Sequence, residues 1–327
     1  MRKDRDSSNR ISRLSTEEAQ NYLKIIKGDR YVKYRKDWDY YGRTQKKPEY
    51  PLQVNIEITS ACNLRCKMCY RNYNMNSRSG YLSIEDIRTI VDQFSEADIP
   101  SLWISGGEPL LHPDICNLLN ILGEANPLDF WMVTNGLLMT EEIADAIIKS
   151  GLTWLSVSID AATSDTYRKI RGGDIDNVRR NIELFLEARK KKQSALPFLR
   201  VSFVKMKENR GEEQAFIDEW SDKADIIDFQ TLADYHNLDA FNCEDVLNSD
   251  YVCTAPFTLL SVLPNGDLIP CCNGFFSEKS AYNIYNTTLL EYWRSDFHEA
   301  FSESVKNKDY CDECIKCVKS FLPRKEV

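Results

Sequence analysis

Three short groups contain nine of the eleven cysteines, and these thiols are the side chains best suited to chemistry. The groups are Cys62, Cys66 and Cys69, then Cys253, Cys271 and Cys272, and finally Cys311, Cys314 and Cys317. In a cytoplasmic chain, clustered cysteines bind metal or carry out redox chemistry more often than they form disulfides. Because the sequence has only three histidines, we expect thiolates rather than imidazoles as the metal ligands.

The first group has the spacing Cys62-x3-Cys66-x2-Cys69 and directly follows a predicted strand, residues 54–59. A structural zinc site takes four protein ligands, and an iron–sulfur cubane normally takes four thiolates. No fourth cysteine or histidine lies nearby in the sequence, so three thiolates suit a cubane with one iron left open for substrate or cofactor. A zinc site completed from elsewhere in the chain, or a set of buried structural cysteines, is the alternative.

This spacing after a strand resembles the signature of the radical S-adenosylmethionine (SAM) enzymes. The resemblance implies that Cys62, Cys66 and Cys69 hold a 4Fe–4S cluster whose open iron binds the amino and carboxylate groups of SAM. It also implies one-electron cleavage of the sulfonium to a 5′-deoxyadenosyl radical. Met68 stands where the family usually has an aromatic residue beside the adenine, and methionine can fill that space.

Three further motifs resemble those of the same family, and each lies at or after the end of a predicted strand. Gly-Gly-Glu-Pro begins at Gly106, Thr-Asn-Gly begins at Thr134, and a Ser-Val-Ser-Ile-Asp segment ends at Asp160. Two glycines let the backbone approach a ligand closely, and a carboxylate can accept a hydrogen bond from the SAM ammonium. The implied cofactor contacts are Gly106, Gly107, Glu108, Pro109, Asn135, Ser158, Asp160, Arg171, Asn209 and Met68.

For two residues of this set, Arg171 and Asn209, a position without any cofactor contact is an alternative. Arg171 resembles an arginine that pairs with the methionine carboxylate in relatives, and a solvated surface arginine would give the same sequence. Asn209 resembles a contact to the ribose or the carboxylate, or is an ordinary loop residue. Glu108 is expected to accept from the SAM ammonium, while Ser158 and Asp160 resemble residues that contact the methionine carboxylate or the ribose.

The second and third cysteine groups resemble the SPASM and twitch extensions of radical SAM enzymes. Cys253-x12-Gly266-x4-Cys271 matches the first half of that pattern, whereas the second half is shorter than a full SPASM pattern. The resemblance therefore implies one auxiliary 4Fe–4S cluster. Its ligands would be Cys253, Cys271 and two of Cys311, Cys314 and Cys317. A zinc ribbon built from two cysteine pairs is the alternative.

Short β-prone runs alternate with amphipathic stretches between residues 52 and 232. The predicted strands are residues 54–59, 101–105, 129–134, 153–159, 198–204 and 225–231, and the predicted helices between them are 84–94, 114–124, 141–149, 178–191 and 212–221. Such a series indicates an α/β fold, a partial parallel (β/α) barrel of about six units with its chemistry at the carboxyl ends of the strands. Outside this series we expect a short helix over residues 16–28 that Gly28 ends, a hairpin that turns at Asn265–Gly266, and a helix over about residues 288–304. We expect an N-terminal arm (1–50), the barrel (51–235) and a small cysteine-rich C-terminal extension (236–327).

The ends of the predicted strands also hold candidate substrate residues. His236 follows the sixth strand and could be a general base, although a lone histidine is more often structural. In radical epimerases a thiol returns a hydrogen atom to the substrate, and Cys243 or Cys272 could do so. A small buried hydrophobe is the alternative for these cysteines, and Cys116 is expected in the core.

The charge distribution limits the possible partners. The net charge is −8, and a basic excess occurs only in residues 1–47, which also contain several tyrosines. A generally acidic body disfavours a nucleic-acid-binding protein, so the basic arm is expected to be a strap packed on the barrel. The N-terminal residues lack a signal-type apolar segment and no stretch could span a bilayer, so we expect a cytoplasmic protein without membrane contact.

These features predict a radical SAM oxidoreductase or epimerase. The first hypothesis is dehydrogenation or epimerisation of a carbohydrate-derived metabolite, because an auxiliary cluster suits an oxidation. The alternative is epimerisation, oxidation or crosslinking of a peptide or protein side chain. A more remote alternative is a non-catalytic metal protein that binds nucleic acid through its basic arm. A reductase such as flavodoxin or ferredoxin is the expected protein partner.

Overall fold

A nine-stranded, mostly parallel sheet organises the chain, whose computed structural model describes residues 10–12, 16–72, 80–272 and 280–322. The strands are β1 (Arg10–Ser12), β2 (Gln53–Thr59), β3 (Ser101–Gly106), β4 (Asp129–Thr134), β5 (Trp154–Ser158), β6 (Phe198–Lys205), β7 (Ile226–Thr231), β8 (Leu259–Val262) and β9 (Leu268–Ile269). Their order across the sheet is β1-β7-β6-β5-β4-β3-β2-β8-β9. The predicted α/β class is confirmed.

Helices lie in the connections between the parallel strands and at both ends of the described chain. They are α1 (Thr16–Thr44), α2 (Ile84–Ala97), α3 (Ile115–Glu124), α4 (Glu141–Lys149), α5 (Ser164–Ile170), α6 (Ile175–Lys191), α7 (Glu213–Trp220), α8 (Cys243–Leu247), α9 (Leu289–Trp293), α10 (Asp296–Lys306) and α11 (Asp312–Phe321). Strands β2 to β7 pair in parallel in chain order, as six strand–helix units require.

Alternation along the strands gives the sheet two different faces. On β2, Val54, Ile56 and Ile58 are fully buried in a core shared with residues of α2, α3, α4, α6 and α7. The intervening positions belong to the opposite face, because successive side chains of a strand point to opposite sides. We call that second surface the inner face. On β2 the inner face carries Asn55 and Glu57. The surface beneath the carboxyl ends of the strands is therefore polar.

Helix α1 covers the inner face at the amino ends of the strands. Leu23, Tyr31 and Tyr34 are buried in a cluster with Trp154 and Phe198. The prediction of a short helix ending at Gly28 was incomplete, because a second helical segment follows directly and runs to Thr44. Gly28 has a φ of 73°, so it does interrupt the helix, and packing of the two tyrosines explains why helical structure resumes.

The C-terminal extension joins the same sheet. Strand β8 pairs in parallel with β2, and β9 returns antiparallel to β8, so the hairpin predicted around Gly266 is confirmed. The helix predicted over residues 288–304 is instead two helices, because the hydroxyl of Ser295 caps the backbone N–H of His298. Across the described part of the chain, no helix combines the length and apolar character needed to cross a membrane.

Candidate active site

The loop with the first cysteines rests directly on the Gly106–Gly107 turn after β3. The backbone N–H of Gly107 donates to the carbonyl of Thr59 at 2.9 Å, and that of Glu108 donates to the carbonyl of Ala61 at 2.7 Å. A Cβ built on Gly107 would lie 2.0 Å from the oxygen of Ala61. The two glycines therefore permit a close approach to the cysteine loop itself. Their expected contact with SAM stays a prediction.

Glu108 joins the ends of β3 and β4. Its carboxylate accepts from the hydroxyl of Thr134 at 2.5 Å, from the N–H of Asn135 at 2.7 Å and from the N–H of Leu110 at 3.1 Å. Burial raises the pKa of Glu108, while these donors oppose the rise by favouring the ionised form. Both carboxylate oxygens hold the scaffold together, and the expected contact with the SAM ammonium stays a prediction.

Arg171, Asp160 and Asn209 form one buried network beside the cysteine loop. The Nε and Nη2 atoms of Arg171 lie 2.8 and 2.5 Å from Oδ2 of Asp160, and its Nη1 lies 3.7 Å from Sγ of Cys66. The side chain of Asn209 donates to the carbonyls of Asp160 and Val204. Arg171 is buried, so the alternative of a solvated surface arginine is wrong. Asn209 bonds only backbone groups here, so both its cofactor role and its loop role stay predictions.

A cavity of about 270 Å³ lies at the first cysteine group. Cys62, Cys66 and Cys69 line it together with Arg65 and Arg71, so cationic side chains border the three thiols. Burial raises the pKa of the Cys66 thiol to about 11, and the nearby Arg171 guanidinium opposes that shift. Binding of a metal centre there would release protons from the thiols. Three thiols and neighbouring guanidinium groups fit an anionic cluster with one site open.

The C-terminal cysteines line a second cavity, of about 290 Å³. Cys253, Cys271, Cys272, Cys314 and Cys317 are part of its lining. Cys311 is the N-cap of α11 and lies outside that lining, although its thiol hydrogen-bonds to that of Cys314. Sequence reasoning left Cys272 out of the ligand set, although it is the neighbour of Cys271. None of the eleven cysteines, all within the described residues, forms a disulfide.

The zinc alternative requires several ligand side chains to lie close together around one ion. Over residues 10–12, 16–72, 80–272 and 280–322, no group of three or more Cys, His, Asp or Glu side chains is placed to hold one metal ion. Zinc requires its sulfur ligands to converge at about 2.3 Å from the ion. The three thiols around the first cavity and the five around the second are donors of the kind that iron–sulfur clusters take.

Two tyrosines lie between the cysteine groups. Tyr70 follows Cys69 in the chain, and its ring centroid is 6.3 Å from that of Tyr235. Both rings line the C-terminal cavity. Burial raises the pKa of Tyr235, and the neighbouring Cys317, Cys272 and Cys69 add to that shift, so this ring is close to thiols of all three groups. Nothing in the sequence pointed to Tyr70 beyond its position next to a cysteine.

The remaining candidates divide between the cysteine loop and the surface. Nε2 of His236 lies 3.1 Å from the carbonyl of Lys67, and both residues line a cavity of about 720 Å³ together with Met68. Cys243 is exposed at the start of α8 and lies outside the lining of the cavities described above. Cys116 packs against the main core, as expected. The roles of His236 and Cys243 stay predictions.

The comparisons with known proteins agree with this geometry. Residues 56–201 match the family model of the radical SAM superfamily, and residues 253–318 match SPASM, an iron–sulfur cluster-binding domain. Streptococcus suis SuiB bound to S-adenosylmethionine superposes with a TM-score of 0.60 at 18% identity, over 89% of this chain and 74% of that chain. BtrN in complex with AdoMet and 2-DOIA gives a TM-score of 0.56 at 18% identity, over 83% and 94%.

Curated relatives match over a shorter region. A probable GTP 3′,8-cyclase of Methanocaldococcus jannaschii is 31% identical over 157 residues, 48% of this chain and 50% of that protein. The AdoMet-dependent heme synthase of Methanosarcina barkeri is 32% identical over 140 residues, 42% of this chain and 40% of that protein. The chain thus spans about half or less of the length of these relatives.

The chain therefore carries a radical SAM domain at residues 56–201 and a SPASM iron–sulfur cluster-binding domain at residues 253–318. A radical SAM domain takes a 4Fe–4S cluster and SAM, and a SPASM domain takes auxiliary iron–sulfur clusters, so these are the cofactors of the two domains. The first cysteine cavity fits the cluster that binds SAM, and the second fits the auxiliary centre.

Proposed function

We propose that this enzyme cleaves SAM at Cys62, Cys66 and Cys69 and takes a hydrogen atom from a carbohydrate-derived metabolite, which it then dehydrogenates or epimerises. When bound, the 4Fe–4S cluster and SAM supply a 5′-deoxyadenosyl radical. The residues of the chain hold these groups and orient the substrate. Arg171 balances the charge beside Cys66, and Glu108 fixes the strand ends above the inner face.

The observation that carries the proposal is that one ring, Tyr235, lies near Cys69 of the first group and also near Cys272 and Cys317. Tyr70 and Tyr235 line the C-terminal cavity, while Tyr70 is the chain neighbour of Cys69. A substrate next to the first group is therefore also close to any electron acceptor held by Cys253, Cys271 and their neighbours. That arrangement supports an oxidation, in which a substrate radical must lose one further electron and a proton.

The names of the relatives do not point to one substrate. They include a GTP cyclase, a heme synthase, SuiB bound to its precursor peptide and BtrN bound to 2-DOIA. The polar inner face below the cysteine loop supports a small hydroxylated molecule as the first choice. We further propose that the protein acts in the cytoplasm with a flavodoxin or ferredoxin as its reductant.

Radical modification of a peptide is the second candidate. The cavity lined by Lys67, Met68 and His236 measures about 720 Å³ and opens beside the cysteine loop, which is room for several peptide side chains. A peptide substrate would bind saturably to the purified enzyme. A nucleic-acid-binding role would instead give RNA binding that weakens steeply with salt, without any cleavage of SAM.

Anaerobic reconstitution followed by reduction with dithionite in the presence of SAM tests the core of this proposal. Wild-type protein should form 5′-deoxyadenosine, and the Cys62→Ala/Cys66→Ala/Cys69→Ala variant should form none. A wild-type protein that holds iron and sulfide yet never cleaves SAM would contradict the proposal. With substrate present, solvent deuterium separates the outcomes, because only epimerisation returns a hydrogen atom from an exchangeable thiol to carbon.

A further inference from the structure

The inner face carries a buried ion pair that the cofactor motifs do not use. Arg200 on β6 is 8% exposed and pairs through Nη2 with Oδ2 of Asp228 on β7. Its Nη1 donates to the hydroxyl of Ser156 on β5 at 3.0 Å. The amide of Gln230 donates to the same Asp228 oxygen at 2.9 Å. Three neighbouring strands thus place a cation, a carboxylate and a hydroxyl side by side.

One N–H of this group is unsatisfied. Among the described residues, Nε of Arg200 has no hydrogen-bond partner, although the atom is buried. Buried donors in proteins nearly always have an acceptor, and a guanidinium N–H is among the strongest donors. Nε of Arg200 is therefore available to an acceptor atom of a bound ligand.

The Arg200–Asp228 pair lies close enough to the cofactor motifs to contact a substrate. Ser156 precedes Ser158 by two residues on β5, and Arg200 precedes Ser202 by two on β6, so these residues share one face. A two-residue step along a strand is about 6.6 Å. The pair therefore lies one step below the strand ends that carry Ser158 and Asp160.

Aromatic rings border the pair. Trp103, Trp131 and Trp154 stack in a row across β3, β4 and β5, with centroid separations of 5.1 and 4.7 Å. Cζ of Arg200 lies 5.9 Å from the ring centroid of Trp131. Trp103 and Trp131 are half-buried, so solvent reaches part of each ring, whereas Trp154 is covered by the α1 cluster.

We propose that Arg200, Asp228, Ser156, Trp103 and Trp131 form the substrate-recognition subsite and that it selects a neutral, hydroxyl-bearing sugar ring. A hydroxyl is both a donor and an acceptor, so it can satisfy Nε of Arg200 and donate to a neighbouring carboxylate or hydroxyl. The C–H groups of the ring pack on the indoles. Because Asp228 already balances Arg200, a carboxylate or an ammonium on the substrate would meet a like charge.

This inference rests on the proposed function, and its test is separable from that of SAM cleavage. The reconstituted wild-type holoenzyme with SAM is titrated calorimetrically, without reductant, with neutral hexopyranoses and cyclitols, with hexuronic acids and with amino sugars. At least one neutral compound should bind, and its uronic acid and amino counterparts should bind about tenfold more weakly or worse. Tighter binding of the charged sugars, or binding of none of the neutral compounds, overturns the assignment.

The variant for the same titration replaces the whole pair, Arg200→Met/Asp228→Leu, because removing one partner alone leaves a buried charge without its counter-ion. It should bind the neutral sugar about 30-fold more weakly, the loss expected for a hydrogen bond to a charged group. The matched control is Arg179→Met/Glu219→Leu, which removes an ion pair between α6 and α7 on the other face. Equal sugar affinity in both variants overturns the proposal, and iron content with circular dichroism establishes that each variant is folded.

If wild type cleaves SAM but its sugar affinity does not depend on Arg200 and Asp228, the subsite alone is wrong. If wild type fails to cleave SAM, the proposed function itself is wrong. The two failures are thus distinguishable.

Discussion

At the scale of single residues, Gly107 has no room for even one added carbon. A Cβ there would overlap the carbonyl of Ala61 at 2.0 Å, and backbone atoms cannot yield as a flexible side chain can. We expect Gly107→Ala to displace the cysteine loop, so that reconstituted protein loses about four irons and forms no 5′-deoxyadenosine. Gly42→Ala is the control, because its Cβ meets only ordinary contacts at 3.6 Å. Full iron loading of Gly107→Ala would show that the loop tolerates the shift.

Arg171 allows a second prediction at this scale, on stability. Arg171→Gln would leave Asp160, which is fully buried, without its cation. Breaking a buried pair from one side costs about 3–5 kcal/mol, so the thermal unfolding midpoint should fall by several degrees. Arg168→Gln, three residues earlier, removes an exposed pair with Asp165 and should cost less than about 1 kcal/mol. Equal midpoints for the two variants would refute the buried-pair argument.

At the scale of secondary-structure elements, local signals predicted most of the fold. The Ser83–Asp86 capping box marks the start of α2, and both of its hydrogen bonds are present. Strand positions followed from short β-prone runs, since every predicted strand overlaps an observed one. The resumption of α1 after Gly28 could not be predicted, because it depends on tyrosines packing against distant strands. The split at Ser295 was missed because the apolar pattern continues across a residue that caps a new helix.

Helix α10 contains a histidine whose burial should make the stability depend on pH. His298 is fully buried against Trp293, and desolvation, with Lys47 nearby, lowers its pKa to about 3. Because the folded pKa lies below the unfolded value near 6.5, its contribution is present above pH 6.5 and is lost as pH falls toward 3.

By this argument, wild type should lose about 2 kcal/mol between pH 6.5 and pH 5 from His298 alone, since each pKa unit corresponds to about 1.4 kcal/mol. His298→Leu should have a flatter pH dependence, measured by denaturant unfolding at each pH. His236→Gln changes an exposed position and is the control. If the two variants show the same pH dependence, His298 does not titrate as its burial requires.

At the scale of the whole molecule, the candidate site is made by long-range contacts that no single motif contains. The cysteine spacing pointed to the family and to the three cysteine groups, but the sequence could not show that Tyr235 lies close to thiols of all three. The Arg200–Asp228 pair was missed for the same reason. Its residues lie on two strands separated by a helix, and each alone is an ordinary polar residue within a β-prone run.

The ligands of the auxiliary centre allow a prediction that also depends on the whole fold. Cys317 lines the C-terminal cavity together with Cys253 and Cys271, which are far away in the sequence, whereas Cys311 lies outside the lining at the cap of α11. Wild type should hold about eight irons, two cubanes of four. Cys317→Ser should then retain about four irons, and Cys311→Ser should retain about eight. The reverse result, with Cys311→Ser losing four irons and Cys317→Ser losing none, would mean that Cys311, whose thiol hydrogen-bonds to that of Cys314, is the ligand in place of Cys317.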